Sequence, residues 1–143
     1  MPGAEQSIIV NVPVEVLFSV IVDYERYPEF LKDCAGVRVL DREDSMVTVE
    51  YTLDLIKKVT YVICLTENEP TGVSWTLVRS NLMKSNEGGW ELIDRGDGTT
   101  KAIYRLDVGV GRFVPRSIVD RLTKTTLPAT LKAFKQRAEQ HHG

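Results

Sequence analysis

Few side chains in this sequence are equipped for acid–base, nucleophilic or metal chemistry. The two histidines, His141 and His142, adjoin the last residue, so neither a Ser-His nor a Cys-His pair can be built around a well-held base. A metal site fails on the same inventory. Cys34 and Cys64 show no CxxC spacing and read as two reduced thiols. Gly109-Val110-Gly111, ahead of Pro115, lacks the lysine and the further glycine of a phosphate-cradling loop. What remains is a set of aromatic side chains with polar tips: Tyr51, Tyr61, Trp75, Trp90 and Tyr104. Buried phenol and indole groups need hydrogen-bond partners. Where several converge, water or a ligand with a polar head can serve them.

Strand alternation puts these aromatics on one face. Val47, Val49, Tyr51, Leu53 and Leu55 alternate with Met46, Thr48, Glu50, Thr52 and Asp54, which is the period of a strand with one wet and one apolar side. Val59, Tyr61, Ile63 and Leu65 repeat it after Lys57-Lys58, and Val73, Trp75 and Leu77 follow the turn at Pro70 and Gly72. Ser80–Glu87 is polar and holds Lys84 and Asn86, which with Arg79 are expected near the rim of that apolar face. The pair Gly88-Gly89 then predicts a bulge or sharp bend. Trp90 and Leu92 run into the turn Asp94–Gly98, and Ala102, Tyr104, Leu106 and Val108 alternate beyond it. Short turns join these neighbours, so the sheet is an antiparallel meander.

Other elements frame that sheet. Ser7–Val12 and Val37–Leu40 read as strands, and Pro13–Ile21 as a helix with Val14, Leu17, Phe18 and Ile21 on one side. Tyr27–Leu31 reads as a second short helix, with Asp23 as its cap and Pro28 at its start. Pro115 opens one long amphipathic helix to about Ala138, with Val119, Leu122, Leu127, Leu131, Phe134 and Ala138 on its apolar side. Pro128 predicts a kink, either simple curvature around the sheet or a hinge over a cavity mouth. A sheet curled about one long helix makes a cup, and cups hold apolar ligands.

At 143 residues the sequence is expected to form one domain, 1–143. No apolar run approaches the ~20 residues of a membrane span. Met1–Glu5 lacks the basic head and apolar stretch of a secretory signal, so cytoplasmic residence is expected. The net charge of −2 is unevenly spread: residues 1–56 carry 11 acids and 4 bases. Arg112, Arg116, Arg121, Lys124, Lys132, Lys135 and Arg137 crowd the closing segment. They are either a solvated helix face or an attraction to an anionic membrane, at whose inner face the protein would then sit peripherally. No aromatic-plus-basic motif accompanies them, so nucleic acid is not expected.

Asp23, Tyr27-Pro28, Phe30 and Cys34 match a pattern that follows the first helix in a known group. Gly89-Trp90, Gly98-Thr99, Leu127-Pro128 and Phe134-Lys135 are further matches, so the likeness spans essentially the whole chain. The sequence resembles the START/birch-pollen-allergen-like (SRPBCC) superfamily, specifically its polyketide cyclase/dehydrase, ribosome-association-toxin and coenzyme Q-binding START-domain members. One departure is Lys32-Asp33, where the quinone-binding group has a proline and an aromatic before the cysteine; it concerns that subgroup and not the fold. The resemblance implies an α+β helix-grip fold. Its curved antiparallel sheet has about seven strands, in the order β-α-α-β6-α, wrapped around a long C-terminal helix.

Such a fold hosts carriers, cyclases and protein-binding modules alike. The expected function is binding or transport of a hydrophobic small molecule (a lipid, isoprenoid quinone or polyketide) between the sheet and the last helix, without a cofactor. A polyketide aromatase/cyclase and a ribosome-associating, toxin-like interaction module are the alternatives. The outward positions Thr48, Glu50, Thr52 and Asp54 look like ordinary solvated strand residues. Expected ligand contacts are Phe30, Val49, Tyr51, Leu53, Tyr61, Ile63, Trp75, Leu77, Arg79, Trp90, Tyr104, Leu106, Val119, Leu122 and Thr126. Arg79, on the apolar parity of its strand, either emerges into solvent or fixes a ligand oxygen.

Overall fold

Alternation and turn chemistry produce seven strands in a single antiparallel sheet, ordered β1-β7-β6-β5-β4-β3-β2. The computed structural model describes residues 3–55, 57–122 and 127–142. Strand β1 (Gly3–Val10) leads to helix α1 (Val14–Ile21) and a 3-10 helix (Tyr24–Glu29). Strands β2 (Cys34–Glu43), β3 (Met46–Asp54), β4 (Lys58–Asn68), β5 (Gly72–Ser80), β6 (Met83–Asp94) and β7 (Thr100–Val110) follow, then helices α2 (Arg116–Leu122) and α3 (Leu127–His142). This is the helix-grip order expected. The period of two in β3 buries Val47, Val49 and Tyr51 toward the concave side, where Leu131, Phe134 and Ala138 of α3 meet the core.

One end of the cup is packed shut. Leu17, Phe18 and Ile21 of α1 and Tyr24 and Tyr27 of the 3-10 helix are buried there. Lys135 Nζ donates to the Ile9 carbonyl (2.9 Å), and Glu139 accepts the Asn11 N–H (2.9 Å), tying α3 to the end of β1.

Several local expectations need correction. The second short helix starts at Tyr24, ahead of Pro28, and is 3-10; Asp23 makes no side-chain cap and pairs instead with Arg26 at 3.3 Å. Gly88-Gly89 is not a bulge, because the pairing with both β5 and β7 runs through it without a shift. The glycine is needed for close approach: a Cβ on Gly88 would lie 2.3 Å from the Arg105 carbonyl oxygen and 2.8 Å from the Trp75 ring. Curvature comes from shifts elsewhere, at Cys34/Gly36 and Val39/Asp41 in β2, Val62/Ile63 in β4 and Met83/Ser85 in β6, since such irregularities bend a strand. The single long helix was expected across residues 123–126. That stretch lies outside the described residues; α2 and α3 occupy its two ends, and Pro128 is the second residue of α3.

Candidate ligand cavity

Between the concave face of the sheet and helices α2 and α3 lies a cavity of about 420 Å³. Its walls follow from strand register. Tyr51 and Tyr61 are direct partners across β3 and β4, and their rings stack with centroids 5.1 Å apart and planes 9° from parallel. On the facing wall Trp90 meets Tyr104 edge to face at 4.9 Å and Phe134 at 5.0 Å. Tyr27 and Phe30 close the deep side against Phe134, at 5.2 and 5.1 Å.

The polar atoms of this lining fall into two sets. Some are satisfied by the protein: Tyr27 Oη donates to the Ile21 carbonyl, and Trp75 Nε1–H donates to Asn86 Oδ1 at 3.0 Å. Asn86 is 4% exposed, and its Nδ2 reaches Met83 Sδ at 3.4 Å. The phenols of Tyr51, Tyr61 and Tyr104, by contrast, make no hydrogen bond among the described residues. Tyr61 and Tyr104 retain some accessible surface, yet both line the cavity, so that surface is interior wall. Burial pushes all three phenols well above the usual tyrosine range. They therefore stay protonated and present donors to the space between them.

Charged groups appear in the lining at one end, where Lys32, Asp33 and Arg121 stand. Arg121 Nη2 lies 3.4 Å from each carboxylate oxygen of Asp33, linking α2 to the loop before β2. Beside it Cys34 lines the cavity, and burial pushes its thiol up to about 11, so it stands neutral near pH 7.

Of the expected contacts, the structure brings Phe30, Tyr51, Leu53, Tyr61, Ile63, Trp75, Trp90, Tyr104, Leu106 and Leu122 together on this lining. Four others are placed elsewhere. Val49 is fully buried in the packed core and Leu77 is half-buried against it. Arg79 is exposed: it pairs with Val62 while Leu77 pairs with Ile63, so Val78 is an extra residue that breaks the parity. In α2 the buried positions are Ile118 and Leu122, one turn apart, and Val119 is half-buried to their side. Thr126 lies outside the described residues.

Tyr27, Cys34, Asp33, Met83 and Arg121 line the cavity without having been expected to, and Asn86, expected near the rim of the apolar face, is in the lining itself. Tyr27 and Cys34 carried a signal, as members of the motif after the first helix. Asn86 carried a weaker one, as a polar residue on the apolar parity of Trp90. Arg121 and Asp33 gave none, because their pairing joins segments far apart in the chain.

The basic residues of the closing segment are largely engaged. Arg116 pairs with Asp120 (3.7 Å), Lys135 with Glu139 (2.6 Å), and Arg137 with Glu29 while its guanidinium lies over the Phe30 ring at 5.1 Å. The last helix is therefore not a bare cationic face. No helix among the described residues is long and apolar enough to cross a membrane.

Comparison with known proteins places this geometry. The family model for polyketide cyclase/dehydrase and lipid transport matches residues 10–135. Ribosome association toxin RatA of Vibrio cholerae is 26% identical over 145 residues, covering 100% of this chain and 99% of that protein. Persistence and stress-resistance toxin PasT of Escherichia coli is 22% identical over 155 residues, with 98% and 89% covered. Among solved structures, a START superfamily protein from Mycobacterium smegmatis superposes with a TM-score of 0.84 at 21% identity, covering 96% of this chain and 97% of that one. The Zhui aromatase/cyclase of a Streptomyces species gives 0.89 at 14% identity, covering 99% and 96%. Those two likenesses are of fold. The family match spans most of the sequence, and the chain belongs to the polyketide cyclase/dehydrase and lipid transport family.

Proposed function

We propose that this member of the polyketide cyclase/dehydrase and lipid transport family binds a hydrophobic small molecule carrying a few oxygen acceptors, and holds it inside the cup. One observation carries the reading. An aromatic-lined space of about 420 Å³ contains the Tyr51, Tyr61 and Tyr104 phenols, which have no hydrogen-bond partner among the described residues. These hydroxyls face the open space of the cavity, so a guest with acceptors at these points gains hydrogen bonds, each worth roughly 0.5–1.5 kcal/mol, together with apolar burial. A ligand burying ~300 Å² of apolar surface would gain about 7 kcal/mol before association costs. A lipid, an isoprenoid quinone and a polyketide all answer this description. The flat Tyr51–Tyr61 stack is suited to a planar or conjugated segment.

Titration with an apolar fluorophore tests the reading. Binding should saturate at one probe per chain, and native mass spectrometry of freshly expressed protein should show a co-purifying apolar compound. Leu122→Trp, which fills the space beneath α2, should abolish both. Non-saturable probe uptake, or full binding by the Trp variant, would exclude the cavity as the site.

The same phenols favour a second reading. Donors that stay protonated beside a poly-β-keto chain could polarise its carbonyls and hold it in a folded, reactive shape, as an aromatase/cyclase requires. Turnover of such a chain, lost in Tyr104→Phe with binding retained, would establish catalysis. Binding without turnover across chain lengths leaves carriage.

A further inference from the structure

The two ends of the cup differ in charge, and the difference is aligned with the cavity. In an antiparallel sheet the ends of β3, β5 and β7 and the start of β2 lie together. This end carries the exposed bases Lys32, Lys57, Lys58, Lys84 and Arg112, and Arg116 paired with Asp120; among the described residues of its loops the exposed acid is Asp54. The opposite rim carries the exposed acids Asp41, Glu43, Asp44, Glu69, Asp94 and Asp97 against the exposed bases Arg42, Arg95 and Lys101, an excess of acid. The charged part of the cavity lining, Lys32, Asp33 and Arg121, is on the basic side, so the opening faces that way.

A second observation stands at the same end. Between β7 and α2 the chain turns, with the Val114 N–H donating to the Gly111 carbonyl at 3.1 Å. The tip of that turn is Arg112-Phe113. Phe113 is 91% exposed, far above the other large apolar side chains on the surface, and the Arg112 guanidinium lies 5.6 Å from its ring centroid. A bare phenylalanine flanked by arginines is costly in water. It is at home in a headgroup layer, where the ring enters the acyl boundary and the guanidinium groups meet phosphate.

We infer that the basic end docks on an anionic lipid bilayer, with Phe113 as the inserted wedge and the surrounding bases as the electrostatic contact. Docked so, the cavity opens onto the bilayer. That orientation gives the proposed ligand a path between lipid and protein without crossing water, and to that extent the inference rests on the ligand-binding reading. The charge separation between the two rims turns the molecule the same way before contact. The contact lies on the sheet-end loops and the 111–114 turn, not along α3, whose Lys135 and Arg137 are already paired. Lipid is favoured over RNA because an apolar cavity opens between these bases and the exposed ring stands beside them. A groove for a nucleic-acid strand would track the charges without an apolar mouth.

Co-sedimentation with vesicles tests it. The protein should bind phosphatidylcholine vesicles containing phosphatidylserine, bind plain phosphatidylcholine weakly, and lose binding as salt rises. Phe113→Ser should weaken vesicle binding about tenfold or more, and Lys57→Glu with Lys58→Glu should weaken it further at low salt. Fluorophore uptake in Phe113→Ser should match wild type, since Phe113 is outside the lining. Equal binding to both vesicle types, or phosphatidylserine binding indifferent to these substitutions, would overturn the inference. So would saturable binding to RNA or ribosomes that the same substitutions abolish while vesicles are ignored. Vesicle binding in a protein that takes up no fluorophore would instead sink the ligand reading and leave the membrane contact standing.

Discussion

Tyrosine is used differently at the two ends of this molecule. At the packed end Tyr24 Oη donates to Glu67 Oε2 at 2.7 Å, and the same carboxylate receives two hydrogen bonds from Arg42 at 3.0 and 3.2 Å. Tyr27 Oη is taken up by the Ile21 carbonyl at the end of α1. Toward the mouth, Tyr51 is buried and Tyr61 and Tyr104 are half-buried, all three on the cavity wall, and they have no such partners among the described residues. The apolar side chains divide likewise. One continuous cluster joins α1, the 3-10 helix, α3 and the concave sheet, while Val59, Met83, Val108, Ile118 and Leu122 form a separate, smaller cluster beneath α2. Cohesion is concentrated at one end and capacity at the other, so substitutions there should separate stability from binding.

The largest expected effect is on packing. Leu17 has no accessible surface and lies within the α1 side of the main cluster. Leu17→Ala leaves a hole that its neighbours cannot fill and should cost about 2–5 kcal/mol. Leu122→Ala removes the same atoms from the edge of a space that is already open, where little new void is created, and should cost well under that. Urea unfolding of the two variants makes the comparison, since the midpoint reports the change if the slope is constant. Equal losses would mean that the interior under α2 is as tightly packed as the opposite end.

Hydroxyl deletion draws the contrast more finely. Tyr24→Phe breaks a bond to a charged acceptor and should cost about 1–2 kcal/mol. Tyr61→Phe removes a donor that has no protein partner and should change stability by less than about 0.5 kcal/mol, in either direction. Its effect should fall on ligand affinity instead. If Tyr61→Phe were as damaging to stability as Tyr24→Phe, its hydroxyl would have to be serving the protein itself.

The packed and hollow ends were not equally legible in the sequence. Period-two alternation from Met46 to Leu55 is a local property of the chain, so it located β3 and, with it, the Tyr51 side of the cavity. Motif residues Tyr27 and Phe30 pointed to the closed side through resemblance. What alternation could not show was where register slips. One extra residue at Val78 puts Arg79 outside, and nothing in the residues around it announces that. The glycine pair was legible as unusual but not as to cause, because the demand on Gly88 comes from Trp75 and Arg105 across two different strand pairs. In α2, seven residues long, Ile118 and Val119 are equally apolar neighbours, and only the approach of the helix to the sheet decides which is buried. The Asp33–Arg121 link is a long-range contact between segments with no common pattern, and such contacts are fixed by tertiary structure alone.

The smallest expected effect concerns the polar clip that fastens α3 at the packed end. Glu139 accepts from Lys135 Nζ at 2.6 Å and from the Asn11 N–H at 2.9 Å, and the Lys135 hydrogen bond first among these contacts holds its carboxyl below the usual glutamate range. A carboxyl more acidic folded than unfolded adds stability that is complete above its unfolded value, about 4.3. That stability disappears as pH falls through the folded value. The site is partly solvated, so the contribution should be under about 1 kcal/mol. Glu139→Gln should accordingly be slightly less stable than wild type at pH 7, with the gap closing as pH is lowered through the carboxylate range. The Asp33–Arg121 pair at the mouth offers the control, because Asp33→Asn leaves the Glu139 clip untouched and should keep the pH dependence that Glu139→Gln loses. A gap between Glu139→Gln and wild type that persists to low pH would mean the glutamate fastens α3 by packing and not by its charge.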